Sequence, residues 1–157
     1  MKTSFFVIVS LILLLFSCIQ KSIETKNKMI TDSGLSSLSI DNLYERADTL
    51  YKVWSFNDAM KYLDEIINRD SLQGKAFFKR AKVNAALQRF ESSNNDYQVS
   101  INLGYHTASC YYNLGCNFMI LGEDSKALEY FNKALEIEPQ HEKSIIAVKR
   151  IKDKLKS

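Results

Sequence analysis

The sequence predicts an all-α fold, an α-α superhelix (solenoid) of three helical hairpins followed by a C-terminal capping helix. Three segments align on one another at an offset of 34 residues, which indicates a stacked repeat architecture. Apolar residues in each segment recur every three or four positions, as expected for one buried helical stripe. No segment has the pattern of a strand. We expect helices near 40–53, 57–70, 74–88, 91–103, 108–121, 124–138 and 142–156.

Small residues occupy the aligned positions at which the two helices of one hairpin should cross. These positions are Ala47, Ala81 and Gly115 on the first helices, and Ala59, Ser93 and Ala127 on the second helices. A large side chain there would force the helices apart, and the resulting void would cost on the order of 24 cal/mol per Å³. Bulky residues fill the remaining space: Leu43, Phe77 and Tyr111 on the first helices, and Leu63, Tyr97 and Phe131 on the second. We predict that all of these residues form the core.

The turns agree with this arrangement. Gly122 ends one helix with a residue that tolerates positive φ, and Asp124 or Ser125 is expected to cap the next helix. Gly104 and Pro139 are expected to end the second and third hairpins, since proline cannot continue a helix.

The third segment carries a specific pattern. Counting back from Pro139, the pattern residues are Ala134, Phe131, Ala127, Phe118, Gly115, Leu114 and Tyr111. Over about residues 40–141 the chain therefore resembles the tetratricopeptide repeat (TPR) family. The resemblance implies repeats at 40–73, 74–107 and 108–141, with a capping helix at 142–157. Arg46, Arg80 and Asn84 depart from the usual apolar pattern, and we expect both arginines to snorkel, with their charged heads in water.

Members of this family bind protein segments along their first helices, which line a concave groove. The resemblance implies these groove residues: Asp41, Tyr44, Glu45, Asp48, Tyr51, Lys75, Phe78, Lys79, Lys82, Tyr112, Asn113, Cys116 and Met119. An aromatic column (Tyr44, Phe78 and Tyr112) runs beside the lysines of the second repeat. We expect a peptide partner with an aromatic or apolar anchor and acidic neighbours, although the rings could instead serve only packing between hairpins. Tyr44 and Asp48 replace the lysine and asparagine that grip chaperone tails in some family members, so that activity is not expected.

The sequence offers little that is typical of catalysis. It has two histidines, His106 and His141, and neither a zinc-type pairing of His with Glu nor a glycine-rich phosphate loop. We expect no enzyme activity, cofactor, metal or small-molecule substrate, and the net charge of +3 does not favour nucleic acid. Cys110 and Cys116 should lie about 9 Å apart along one helix, which is too far for a disulfide.

The start of the chain predicts export. Met1-Lys2 precedes an apolar run over residues 5–16, which is too short for a comfortable membrane span and is typical of a signal peptide. Leu15-Phe16-Ser17-Cys18 then resembles the lipobox of bacterial lipoproteins, in which the cysteine becomes the new amino terminus and carries lipid. The resemblance implies that residues 1–17 are removed and that Cys18 is lipidated. The alternative is an ordinary signal peptide with an incidental cysteine.

Residues 18–39 are predicted to be a lipidated, polar tether that cannot bury a core. By resemblance, Ile19 favours the outer membrane of a bacterial cell envelope, facing the periplasm, with surface display left open. We therefore expect a lipid-anchored adaptor that binds a protein or peptide. The alternatives are a structural or assembly subunit of a larger cell-envelope complex and an accessory regulator of a cell-wall enzyme.

Overall fold

A computed structural model describes residues 32–156 of the chain. The predicted signal peptide and the predicted lipidation site Cys18 lie outside the described residues. Contacts divide the chain into two units, Met1–Leu38 and Ser39–Ser157. In the first unit, Asp32–Leu35 forms a single helical turn (α1) within the segment predicted to be a tether. Between residues 32 and 156, no helix has the length and apolar character needed to cross a membrane.

Seven helices form the second unit. They are α2 (Ile40–Lys52), α3 (Phe56–Arg69), α4 (Gly74–Ala86), α5 (Phe90–Asn102), α6 (Thr107–Ile120), α7 (Asp124–Ile137) and α8 (Glu142–Lys154). The described residues contain no strand, and each helix lies within two residues of its predicted bounds. The all-α superhelix is therefore confirmed.

The helices pack in sequential order. α2 pairs with α3, α4 with α5 and α6 with α7, while α3 packs on α4, α5 on α6 and α7 on α8. Each hairpin therefore meets mainly its neighbours, as in other repeat arrays. The aligned hydrophobic residues are buried between these helices, in clusters such as Ala81, Tyr97, Cys110 and Leu114 and, further along, Ala127, Phe131 and Ile151.

The small crossing positions are buried as predicted. Ala47 and Ala81 are no more than 2% exposed, and Ala59, Ser93 and Ala127 are fully buried. A Cβ atom on Gly115 would lie 2.6 Å from Cε1 of Phe131, closer than carbon atoms can approach. The crossing in the third hairpin therefore requires glycine, whereas the first two hairpins accommodate alanine.

The turn within each hairpin requires a left-handed backbone at one aligned position. Gly122 adopts a φ of 77°, while Trp54 and Gln88 hold φ values of 63° and 59° at the equivalent positions. The predicted cap in the third hairpin was wrong. Glu123 precedes the helix, and Asp124 is its first residue, where its carboxylate pairs with Lys154 rather than with the backbone.

The predicted snorkelling of Arg80 was also wrong. Its guanidinium donates to both carboxylate oxygens of Asp96, with Nε–Oδ2 and Nη2–Oδ1 distances of 2.9 and 2.7 Å, and to Asp64 at 2.8 Å. Asn84 also donates to Asp96, at 3.0 Å. These hydrogen bonds hold the pKa of Arg80 above its ordinary value. Arg46, in contrast, is exposed and interacts with the Tyr62 hydroxyl.

This polar network replaces an aromatic cluster at equivalent positions of the next hairpin. Thirty-four residues after Arg80, Asn84 and Asp96 stand Leu114, Phe118 and Tyr130. The Phe118 and Tyr130 rings stack with centres 5.2 Å apart. One backbone geometry therefore accepts either a hydrogen-bonded network or a stacked aromatic pair inside the hairpin.

His141 is the N-cap of the capping helix α8, and its Nδ1 atom accepts a hydrogen bond from the Ser144 amide at 3.3 Å. Ile151 is buried, whereas Ile145 and Ile146 are 46% and 61% exposed. Lys149 occupies the position aligned with Gly115. A helix packed on α8 as in the hairpins would meet this lysine at the point of closest crossing.

Candidate functional site

The predicted groove residues of α2 and α4 face one another across the first two hairpins. Three contacts join them, each between residues 31 apart: Lys75 Nζ lies 4.2 Å from the ring centre of Tyr44, Lys79 pairs with Asp48, and Lys82 Nζ lies 5.0 Å from the ring centre of Tyr51. We call the side of the array formed by the predicted groove residues of α2, α4 and α6 the groove face. At the seam, where the first two hairpins meet on this face, lysines of α4 contact a carboxylate and aromatic rings of α2.

These contacts change the charge expected for the groove face. Lys79 is neutralised by Asp48, so the predicted acidic first repeat and basic second repeat partly cancel. Lys75 and Lys82 lie over aromatic rings and have no carboxylate within ion-pair distance among the described residues. A cation–π contact is worth only about 0.5–1 kcal/mol at exposed sites. Both lysines therefore retain the capacity to bind an anionic group.

A small cleft lies at this seam. Its apolar floor is formed by Ala47, Leu63 and Val83, and its rim by Asp48, Tyr51, Lys79 and Lys82. The sequence predicted all four rim residues but none of the floor residues as part of the site. The floor residues were assigned to the core or not singled out, and their periodicity does not reveal that a gap remains above them. The cleft combines a surface for an apolar side chain with cations beside it.

The first members of the aromatic column serve mainly packing. Tyr44 is only 6% exposed, and its hydroxyl donates to Gln73 Oε1 at 3.3 Å. Burial raises the pKa of Tyr44 to about 12. The Phe78 ring packs against Tyr97 and Tyr105, with both ring centres 5.8 Å away.

The third member of the column is also packed inward. Tyr112 contacts the rings of Phe131 and His141, with centres 5.6 and 5.4 Å apart, and burial raises its pKa to about 12. Among the described residues, no ring contact joins Tyr44, Phe78 and Tyr112 to one another. These contacts support the packing interpretation, and leave only part of each ring for a partner.

The third repeat presents a neutral part of the groove face. Tyr112, Cys116 and Met119 are half-buried and pack on the cluster that contains Phe131. Asn113 donates a hydrogen bond from its amide Nδ2 to the Ser109 carbonyl at 2.8 Å. Its Oδ1 atom therefore points in another direction. This end of the face offers apolar contact and one amide oxygen.

The remaining predicted groove residues lie apart from the cleft. Asp41 and Glu45 are exposed on α2, and neither forms an ion pair with another described residue. They give the outer end of the groove face a negative charge, whereas the cleft lies further along the helix at Asp48 and Tyr51.

Cys110, Cys116 and the two histidines lie in packed surroundings or at helix ends rather than in a catalytic arrangement. Cys110 is buried, and desolvation raises its pKa to about 11, which disfavours the reactive thiolate. Burial also raises the pKa of Cys116, and both thiols are free. His106 and His141 precede α6 and α8. Within residues 32–156, no group of three or more His, Cys, Asp or Glu side chains is placed to hold a metal ion.

The tetratricopeptide repeat family model matches residues 108–141, the segment whose hairpin requires Gly115. Residues 108–141 therefore form a tetratricopeptide repeat. A DnaJ protein P58IPK homolog from Arabidopsis thaliana is 40% identical over 68 residues, which cover 42% of this chain and only 14% of that relative. The likeness to that protein is therefore confined to a short part of its length.

Solved TPR structures share the fold of this domain. The Arabidopsis OM64 TPR domain has a TM-score of 0.68 at 22% identity, covering 73% of this chain and 94% of its own. The first TPR of Spaghetti (RPAP3) bound to HSP90 peptide SRMEEVD also scores 0.68, at 19% identity, covering 75% and 94%. The Yersinia enterocolitica type III secretion chaperone SycD, in complex with a peptide of the translocator YopD, scores 0.66 at 16% identity, covering 73% and 92%.

Proposed function

We propose that this protein is a membrane-anchored TPR lipoprotein that acts as an adaptor, binding a peptide or partner segment along its groove face. The observation that carries the proposal is the cleft between the first two hairpins. Its small apolar floor (Ala47, Leu63 and Val83, each no more than 2% exposed) offers contact to the tip of an apolar side chain, while Lys82 beside it has no carboxylate partner among the described residues.

The partner that fits this cleft is a peptide segment with an apolar anchor and an adjacent carboxylate. The anchor removes apolar surface from water, at about 25 cal/mol per Å² buried. The carboxylate pairs with Lys82, whose existing contact with Tyr51 holds the ammonium group at the rim. Lys75 lies on the same helix, so a second acidic residue in the partner can pair there.

Peptide complexes among the similar folds support this proposal. The RPAP3 and SycD structures hold peptides of HSP90 and YopD. At this low identity, the likeness of the folds supports a shared type of surface and does not identify a shared partner. The residues that would grip a chaperone tail are Tyr44 and Asp48 here, and both are engaged within the array.

The membrane anchor is the second part of the proposal. The charged start, the apolar run at 5–16 and Cys18 at its end support export followed by lipid attachment at the bacterial cell envelope. We propose the periplasmic face of the outer membrane. The test is incorporation of a labelled fatty acid, which should occur in the wild-type chain and disappear in Cys18→Ser. Labelling that persists in the variant would refute the assignment.

The groove is tested by comparing two charge reversals on the full chain. Lys82→Glu places a carboxylate on the cleft rim, whereas Lys61→Glu reverses an exposed lysine on α3 as a matched control. After cross-linking in envelopes, proteins captured by the wild type and by Lys61→Glu should be lost from Lys82→Glu. Capture that is equal in all three would place the binding surface elsewhere. Phe78→Ala would not isolate binding, since Phe78 packs against the core cluster of Ala81, Tyr97, Cys110 and Leu114.

Oligomeric state separates the adaptor from the alternative of a structural subunit. An adaptor should be monomeric when extracted and should release its partner on peptide competition. A subunit of a larger assembly should remain in a large complex that Lys82→Glu does not dissociate.

A further inference from the structure

The C-terminal end of the array carries a concentrated positive charge. Residues 142–157 contain six lysines or arginines and two acidic residues, whereas residues 39–141 contain eleven and fourteen. The domain is thus slightly acidic except at its last helix. Such segregation favours an anionic partner at that end and not over the whole surface.

Three of these cations share one side of α8 and the turn that follows it. Lys149 and Lys152 follow Ile145 at intervals of four and three residues and therefore lie with it on one face of α8, and Lys156 lies in the turn that follows the helix. All four are exposed. We call these residues the terminal basic face. None of its lysines has a carboxylate within ion-pair distance among the described residues, whereas the neighbouring Lys154 pairs with Asp124.

The residue at the crossing position of α8 limits what can pack on the terminal basic face. In the three complete hairpins, the aligned face of the first helix is covered by its own second helix, and the crossing residue is Ala47, Ala81 or Gly115. Lys149 stands at that position on α8, so a helix cannot approach at hairpin distance. Long lysine side chains can instead reach a flat layer of charge.

We propose that the terminal basic face docks on an anionic phospholipid bilayer, with phosphodiester headgroups as the ligands of Lys149, Lys152 and Lys156. Ile145 and Ile146, 46% and 61% exposed, contact the boundary between headgroups and acyl chains. A nucleic acid backbone would satisfy the lysines but would leave these isoleucines in water. The surface is distinct from the cleft between the first two hairpins, and it needs no lipid on Cys18.

Vesicle sedimentation with residues 39–157 tests this proposal without the anchor. That segment contains all seven helices of the array, and a cooperative thermal unfolding curve would verify its fold. It should bind vesicles that are one third phosphatidylglycerol and not vesicles of phosphatidylcholine alone, and binding should weaken with salt. Failure of fatty-acid labelling at Cys18 would leave this result unaffected, so the two proposals fail separately.

A pair of matched variants locates the surface. Lys149→Glu with Lys152→Glu should weaken binding by at least about 30-fold, since each cation near a membrane contributes about a fivefold change in affinity. Lys52→Glu with Arg89→Glu makes the same change in net charge at exposed positions near the hairpin turns, and should retain most of the binding.

Four outcomes would overturn the proposal. They are no binding of the unaltered segment to the anionic vesicles, equal loss in both variant pairs, tighter binding to duplex DNA that the first pair abolishes, and self-association that the first pair abolishes. The last two would assign the terminal basic face to nucleic acid or to the acidic first hairpin of a second copy.

Discussion

Replacing Asp96 with alanine should destabilise the array more than any other single change in its polar network. The Asp96 carboxylate is 8% exposed and receives hydrogen bonds from Arg80 and Asn84. Its loss leaves a half-buried guanidinium with Asp64 alone, and leaves the Asn84 amide without that acceptor. Breaking a buried ion pair costs about 3–5 kcal/mol. Since a quarter of the Arg80 side chain is exposed, we expect about 3 kcal/mol.

Asp64→Ala is the matched control, because Asp64 binds the same guanidinium from a site that is 47% exposed. Exposed ion pairs contribute at most about 1 kcal/mol. Urea unfolding followed by circular dichroism should give a much lower free energy of unfolding for Asp96→Ala than for Asp64→Ala. Thermal unfolding should show a fall in Tm of roughly 10 °C for Asp96→Ala. Equal losses in the two variants would refute the importance of burial in this network.

The third hairpin supplies a rescue for the same site. The triple change Arg80→Leu, Asn84→Phe and Asp96→Tyr installs the residues that stand 34 positions later in the chain. Replacing a buried ion pair by packed apolar residues is often neutral or stabilising by about 1–4 kcal/mol. The triple variant should therefore unfold at a urea concentration equal to or above that of the wild type. A midpoint as low as that of Asp96→Ala would contradict the equivalence of the two hairpin interiors.

Three further predictions concern turns and caps. Gln88→Gly should raise the free energy of unfolding by about 1 kcal/mol, since φ is 59° there, while Gln88→Ala should not raise it; urea unfolding distinguishes them. His141→Ala should lower the free energy of unfolding by about 1 kcal/mol, because it removes the N-cap of α8, whereas His141→Ser should retain most of that stability; an equal loss in both variants would exclude capping. Hydrogen bonds from Gln73 and from the Leu72 amide lower the pKa of Asp70, so its contribution to stability is present above about pH 4 and is lost as pH falls through the lowered value. Acid titration of Asp70→Asn should show a flatter loss of stability, and a curve parallel to the wild type would exclude the effect.

Much of the fold could be predicted from residue spacing. Ala47, Ala81 and Gly115 fall at one aligned position, and steric exclusion at a helix crossing depends only on local side-chain size. Periodicity therefore identified the helices and the core. It did not identify the Arg80 network, because the partner of an apparent misfit lies 16 residues away on another helix. That pairing becomes visible only when α4 and α5 are placed side by side.

The groove face shows the same division. Repeat alignment placed Asp48, Tyr51, Lys79 and Lys82 on the first helices, and the cleft lies among them. Alignment did not show that Lys79 forms an ion pair with Asp48, that Tyr44 is buried, or that Ile145 and Ile146 are exposed. Local spacing carries the helical period and the size of each side chain, and these decide which helices form and how closely they cross. The distribution of charge partners and solvent depends on distances between helices, which arise only after the hairpins have stacked.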